Sequence, residues 1–291
     1  MKDTLAIWAA GARPRTLPAA VAPILAGSAS ALALGVTNWP IALLCLLVAL
    51  ALQVGVNYAN DYSDGVRGTD DDRVGPIRLV ASGLASATAV KSAAFISFGI
   101  GAVAGLAVVA LSGQWWLLAV GVVCILAAWY YTGGRKPYGY LGLGELMVFI
   151  FFGLVATVGT GYVISGSAPG HAWLAGAAVG SLASAILVAN NLRDIATDRV
   201  SGKLTLPARL GHRGARIFYA ALCGLTAACV VAFAALTTWA ALIALLALLG
   251  LIRPLRLVLG GALGPRLIPV IQFTGFAEIG VGLGLLVGVW L

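Results

Sequence analysis

Nine apolar stretches follow one another along this 291-residue chain, and stretches of about 17–25 such residues are what helices need to cross a bilayer. They lie at about 17–35, 40–59, 89–111, 115–131, 143–166, 171–191, 215–236, 236–252 and 270–290, the fourth and eighth being short. With 61% hydrophobic and only 10% charged residues, no soluble domain of this size could hide the apolar surface. The expected fold is therefore an all-α membrane protein, a single domain over 1–291, with nine transmembrane helices. The 38 glycines fit helices that approach closely through small residues.

The basic residues orient the bundle. With the N-terminus in the cytoplasm, every one of the 18 Lys and Arg residues falls in an inner segment and the outer loops carry none. That satisfies the positive-inside rule and supports the span count, because a missed helix would scatter the charges over both sides. The expected location is the inner (cytoplasmic) membrane. The net charge of +8 is spread over short loops, so it is no nucleic-acid footprint. The four cysteines lie in apolar runs without a C-x-x-C pair and read as reduced and inert.

Seven of the ten carboxylates sit in two short patches, one after the second span and one after the sixth. Both patches face the cytoplasm. In the first, Asn57, Asn60, Asp61 and Asp64 are spaced i, i+3, i+4, i+7, which is one face of a helix. Gln53 extends the stripe inward, and Asp70, Asp71 and Asp72 lie beyond it. In the second, Asn190, Asp194 and Asp198 share a face at i, i+4, i+8, so the two helices are expected to present their stripes to each other.

Carboxylate and carboxamide oxygens suit a hard cation, and Mg²⁺ takes few protein carboxylates and completes its shell with water and phosphate oxygens. The expected metal ligands are Asn60, Asp61, Asp64, Asp70, Asn190, Asp194 and Asp198; Asp61, Asp64, Asp194 and Asp198 are the expected catalytic set. Arg67, Arg73, Arg78, Arg135, Lys136, Arg193 and Lys203 lie in the same inner segments and can neutralise a diphosphate. Glu145 and Glu278 are intramembrane carboxylates, which are candidates for function by default. His171 and His212 are isolated and are not proposed as ligands.

At these residues the chain resembles the UbiA superfamily of intramembrane prenyltransferases. The resemblance rests on Asn60-Asp61-x-x-Asp64 after the second span and on Asp194-x-x-x-Asp198 followed by Gly202-Lys203 after the sixth. It implies a bundle of helices around a central cavity open laterally to lipid, with Mg²⁺ and a polyprenyl diphosphate beneath the inner loops. One position departs: the common first motif has a third Asp where this chain has Gly68, with Asp70 two residues later. Asn57 and Asp61 offer an alternative register for the ligand pattern.

The departure, with the segments 73–83, 131–145 and 190–199, is similar to the branch that prenylates 1,4-dihydroxy-2-naphthoate in menaquinone synthesis. That branch implies transfer to the ring with loss of carbon dioxide and diphosphate, giving demethylmenaquinone. Asn57, Asn60 and Glu145 join the basic residues as expected substrate contacts, Glu145 toward the ring hydroxyls and Arg78, Arg135 or Lys136 toward the ring carboxylate. Other acceptors in the superfamily are 4-hydroxybenzoate and homogentisate. From a different class, a cation-coupled transporter would also place carboxylates on facing helices, but near the midplane rather than at the inner surface.

Overall fold

Each of the nine apolar stretches forms helix in the computed structural model, which describes residues 2–68 and 77–291. The chain opens with α1 (Lys2–Gly11), which the apolar pattern does not announce, then α2 (Pro18–Leu32), α3 (Trp39–Arg67), α4 (Ala87–Ser112) and α5 (Leu117–Tyr130). A π-helical stretch, Phe149–Val155, joins α6 (Gly144–Val148) to α7 (Ala156–Ser165). Then come α8 (Gly170–Val200), α9 (Leu206–Leu236), a 3-10 stretch (Trp239–Leu251) running into α10 (Ile252–Leu259), and α11 (Ile268–Trp290).

Among the described residues, seven helical segments are long and apolar enough to cross a membrane, and α2 and α5 are shorter. The short members therefore differ from expectation. The first stretch ends early, where Gly35 turns the chain in the left-handed region. The eighth is longer than its apolar run because helix continues through Arg253 to Leu259.

The helices form two packing groups. In one, α3 packs along α4, and Tyr58, Ala59, Leu79, Val90, Ala94, Phe98 and Ala128 make its core. In the other, α8 packs on α9, and α11 packs on α2 and on the 3-10 stretch. The α8 helix is the most enclosed of these spans, with 72% of its apolar window buried, and Asn191, Arg193, Asp194 and Asp198 at its polar end are buried as well. One acidic stripe belongs to each group.

The pairing of α11 with the 3-10 stretch has a simple geometric basis. Three residues of 3-10 helix rise about 6 Å, and so do four residues of α-helix. Ala241, Ala244 and Ala247 recur every three residues and meet Gly288, Gly284 and Gly280, which recur every four. The two periods match, and the backbones close to the point where a Cβ on Gly284 would lie 2.4 Å from the Cα of Ala244. The four cysteines are free, as their apolar settings imply.

Candidate functional site

The helix expected from the first stripe runs unbroken to Arg67 and is capped by Gly68 at φ 71°. The position where the family motif has its third Asp is thus the left-handed turn that ends α3, a conformation glycine takes without strain. Asp70 and Arg73, expected to contribute to the site, lie outside the described residues, as do Asp71 and Asp72.

Along the stripe the roles divide. The Asn57 Nδ2 donates to the Ala12 carbonyl at 2.8 Å and to Thr16 Oγ1 at 2.9 Å, and Gln53 donates to the same Thr16 oxygen at 2.9 Å. These deeper amides therefore tie α3 to the segment before α2. Asp61 is fully buried and accepts the backbone N–H of Leu79 at 2.8 Å and of Val80 at 3.0 Å. Both its oxygens are turned to the protein, where a metal ligand was expected. Asn60 Oδ1 accepts the Thr132 hydroxyl at 2.7 Å.

Asp64 is where the two patches meet. Lys203 Nζ stands 3.1 Å from Asp64 Oδ2, Arg78 Nη2 stands 3.8 Å from the same oxygen, and the Tyr140 hydroxyl donates to Oδ1 at 2.5 Å. Lys203 reaches it because Gly202 (φ 73°) turns the chain after α8, and the Lys203 N–H then closes onto the Asp198 carbonyl at 2.7 Å. No atom lies within 4 Å of a Cβ built on Gly202, so this glycine is required for its backbone angle, not for space. The Lys203 ammonium sits 4.8 Å from the centre of the Tyr140 ring, a cation–π contact.

On α8, Arg193 grips Asp194 with two parallel bonds, Nε to Oδ1 at 2.6 Å and Nη2 to Oδ2 at 2.7 Å. Its Nη2 also donates to Asn190 Oδ1 at 2.9 Å. Asp198 Oδ2 accepts the Thr205 hydroxyl at 3.2 Å. The stripes do not pack along their lengths, because α3 and α8 belong to different groups; they converge at one end through Lys203 and Tyr140. Glu145 enters from the loop side, 2% exposed, with Oε1 accepting Asn191 Nδ2 at 2.9 Å and Oε2 without a protein partner among the described residues.

The remaining basic residues separate. The Arg67 guanidinium donates to the carbonyls of Thr132 and Gly134 and lies over Tyr140, so it holds the α5–α6 loop against α3. Arg135 and Lys136 are exposed on that loop. Sequence reasoning missed Tyr140, Thr132 and Asn191, which are ordinary loop or helix residues in pattern and become contacts only when three segments meet. Tyr138, on the same loop, donates to the Ala127 carbonyl at 2.8 Å, and burial pushes its phenol above the ordinary range, so it stays a neutral donor. Arg13 was read only for orientation. It sits at φ 53°, the one non-glycine at positive φ among the described residues, and its Nη2 is buried without a partner among them. Glu278 is fully buried in mid-helix and away from the stripes' inner ends, with neither carboxyl oxygen hydrogen-bonded among the described residues.

Among the described residues, no three carboxylate, imidazole or thiol groups stand close enough to enclose an ion by themselves. The donors at the site are instead all-oxygen and divided between two helices. Such a set matches Mg²⁺, which retains water and phosphate ligands.

Comparison with known proteins gives the arrangement its context. Residues 20–262 match the model of the UbiA prenyltransferase family. The 1,4-dihydroxy-2-naphthoate octaprenyltransferase of Mycobacterium tuberculosis (strain ATCC 25618 / H37Rv) is 49% identical over 277 residues, spanning 95% of this chain and 94% of its own. The fold matches an apo UbiA homologue from Aeropyrum pernix K1 with TM-score 0.73 at 19% identity, over 92% of this chain and 97% of that one. It also matches a UbiA homologue from Archaeoglobus fulgidus bound to DMAPP and Mg²⁺, with TM-score 0.61 at 16% identity, over 96% and 99%. The two converging acidic stripes, the helical fold and the family match over most of the chain agree: this protein is a member of the UbiA prenyltransferase family.

Proposed function

We propose that this protein transfers a polyprenyl group from its diphosphate to 1,4-dihydroxy-2-naphthoate, with Mg²⁺ as cofactor. The observation that carries the site is the convergence at Asp64, where a cation from the second acidic patch closes onto a carboxylate of the first. The likeness to the M. tuberculosis naphthoate enzyme over nearly both full lengths supports the choice of acceptor.

Asp64, Asp194 and Asp198, with the carboxamides of Asn60 and Asn190, would hold the metal. Bound there, Mg²⁺ would neutralise charge on the diphosphate and make it a better leaving group. Lys203 and Arg78 now face Asp64, and Arg193 now faces Asp194. Each can turn part of its charge to phosphate oxygens as the carboxylates engage the metal. The allylic C–O bond breaks with its electron pair leaving on diphosphate. The ring carbon bearing the carboxylate attacks the allylic cation, and the carboxylate departs as carbon dioxide, returning its bonding pair to the ring. The product is the quinol form of demethylmenaquinone. Glu145 Oε2, without a protein partner among the described residues, would accept a ring hydroxyl while Asn191 fixes the other oxygen. With Arg78 given to the diphosphate, Arg135 or Lys136, exposed on the α5–α6 loop, would meet the ring carboxylate.

Nine spans with the N-terminus in the cytoplasm would place both stripes at the inner face of the cytoplasmic membrane. The hydrogen bonds bear on this: Arg67 to the α5–α6 loop, Lys203 to α3, and Leu204 N–H to the Tyr140 carbonyl at 3.0 Å all gather at one end of the bundle. A positive inner surface would also draw the anionic acceptor from solution.

The test is product analysis. Purified protein given a panel of aromatic acceptors and polyprenyl diphosphates should yield from dihydroxynaphthoate, by mass spectrometry, demethylmenaquinol or the quinone it forms on air oxidation, and only with Mg²⁺ present. Preferential prenylation of 4-hydroxybenzoate or homogentisate would overturn the acceptor, and turnover in excess chelator would overturn the cofactor.

A further inference from the structure

We propose that Asp61, although it belongs to the acidic motif, is a positioning residue that seats Arg78 at the diphosphate site rather than a metal ligand. The inference rests on the functional reading above for what Arg78 does, and on the geometry alone for what Asp61 does.

Asp61 lies one helical turn deeper than Asp64 and is fully buried. Its two oxygens accept the consecutive amides of Leu79 and Val80, at 2.8 and 3.0 Å. A carboxylate that receives both amides of one turn acts as a clamp on that turn, because each bond is charge-assisted and no water competes. The surroundings are shaped to the clamp. Leu79 is fully buried in a slot beside Gly11, where a Cβ would come within 2.6 Å of its side chain. Val80 lies against Gly65 of α3, where a Cβ would lie 2.6 Å from its own Cβ.

The turn that is clamped is itself stiff. The Ser82 N–H and hydroxyl both donate to the Arg78 carbonyl, and the Ala85 N–H donates to the Leu79 carbonyl. Arg78 is the residue immediately before the clamped amides, and its side chain, 8% exposed, comes within 3.8 Å of Asp64. At 0% exposure and with a backbone amide on each oxygen, Asp61 is poorly placed to reach a cation that must also keep water and phosphate oxygens. Its neighbour Asp64, three residues on, is met instead by the side chains Lys203, Arg78 and Tyr140.

The experiment compares Asp61→Asn, Asp64→Asn, Arg78→Gln and the double variant Asp61→Asn/Arg78→Gln in purified, reconstituted protein. An asparagine can accept one of the two amides but not both. Asp61→Asn and Arg78→Gln should each raise KM for the prenyl diphosphate about tenfold, while the Mg²⁺ concentration for half-maximal rate in Asp61→Asn stays within about twofold of wild type. Asp64→Asn should shift that Mg²⁺ concentration upward. The double variant should be no worse than Arg78→Gln alone, since both changes remove one contact.

Should Asp61→Asn fail to fold, Gly65→Ala, one helical turn further along α3, pushes on Val80 of the same turn and should give the same KM increase with unchanged Mg²⁺ dependence. Hydrogen exchange supplies a readout independent of turnover: the Leu79 and Val80 amides should exchange about tenfold faster or more in the Asp61 variant. A Mg²⁺ shift in Asp61→Asn like that of Asp64→Asn, losses that multiply in the double variant, or unchanged exchange at those two amides would each overturn the proposal. An inactive wild type with the exchange effect intact would instead sink the functional reading and leave the clamp standing.

Discussion

Replacing Asp64 by alanine is expected to cut the rate of prenyl transfer by on the order of a thousandfold, and replacing Asp194 by alanine to do the same. Under the proposed function, each removal takes one metal ligand from one half of a divided site. Asp64→Ala has a second consequence. Lys203, 3.1 Å away and mostly buried, loses a counter-charge, and so does Arg78. Breaking a buried ion pair by removing one partner is itself destabilising. The asparagine variant separates the two effects, because it keeps the shape and one acceptor oxygen for Tyr140 while removing the charge. Rates measured beside thermal midpoints should show Asp64→Asn folded but slowed by about a hundredfold or more, its residual rate needing more Mg²⁺. Activity within a few-fold of wild type in folded Asp64→Asn and Asp194→Asn would remove both residues from the mechanism.

The largest effect on stability is expected at Gly284. A Cβ there would lie 2.4 Å from the Ala244 Cα and 2.9 Å from the Ala244 nitrogen, and both are backbone atoms that move only with the helix. The Gly280–Gly284–Gly288 stripe meets the alanines of a 3-10 segment in matched steps of about 6 Å, so displacement at the centre disturbs the contacts on either side. Gly284→Val should therefore destabilise the protein by about 3 kcal/mol or more, the upper end of overpacking costs. Gly224→Ala is the control: nothing lies within 4 Å of the added methyl, and the change should be neutral or slightly stabilising through helix propensity. Thermal unfolding in one detergent reads both. Equal midpoints for the two variants would contradict the close approach.

Most of the fold and part of the site are legible in the residues themselves. Apolar length alone locates the nine helical segments, and the i, i+3, i+4, i+7 spacing correctly carries α3 past its apolar run to the acidic stripe. Periodicity can place Asp61 and Asp64 on one face. It cannot separate them, because their difference comes from Leu79 and Val80, eighteen and nineteen residues beyond Asp61. Tyr140 is illegible for the same reason: its bond to Asp64 spans 76 residues and depends on three segments converging. Helix type is also hidden. Trp239–Leu251 reads as an ordinary apolar span, and only its alanines against the glycines of α11 reveal a three-residue turn. Gly68, by contrast, reads in sequence as a missing ligand, and the structure gives it a positive reason as the left-handed cap of α3.

The central claim is that two acidic stripes on different helical groups act as one Mg²⁺-dependent diphosphate site. The most direct measurement is binding of a prenyl thiodiphosphate, which resists turnover, to wild type, Asp64→Asn and Asp194→Asn, with and without Mg²⁺. Tight binding to wild type only with Mg²⁺, weakened about tenfold or more in both variants, is the predicted result. Binding that survives chelation, or that depends on one stripe and not the other, would contradict it.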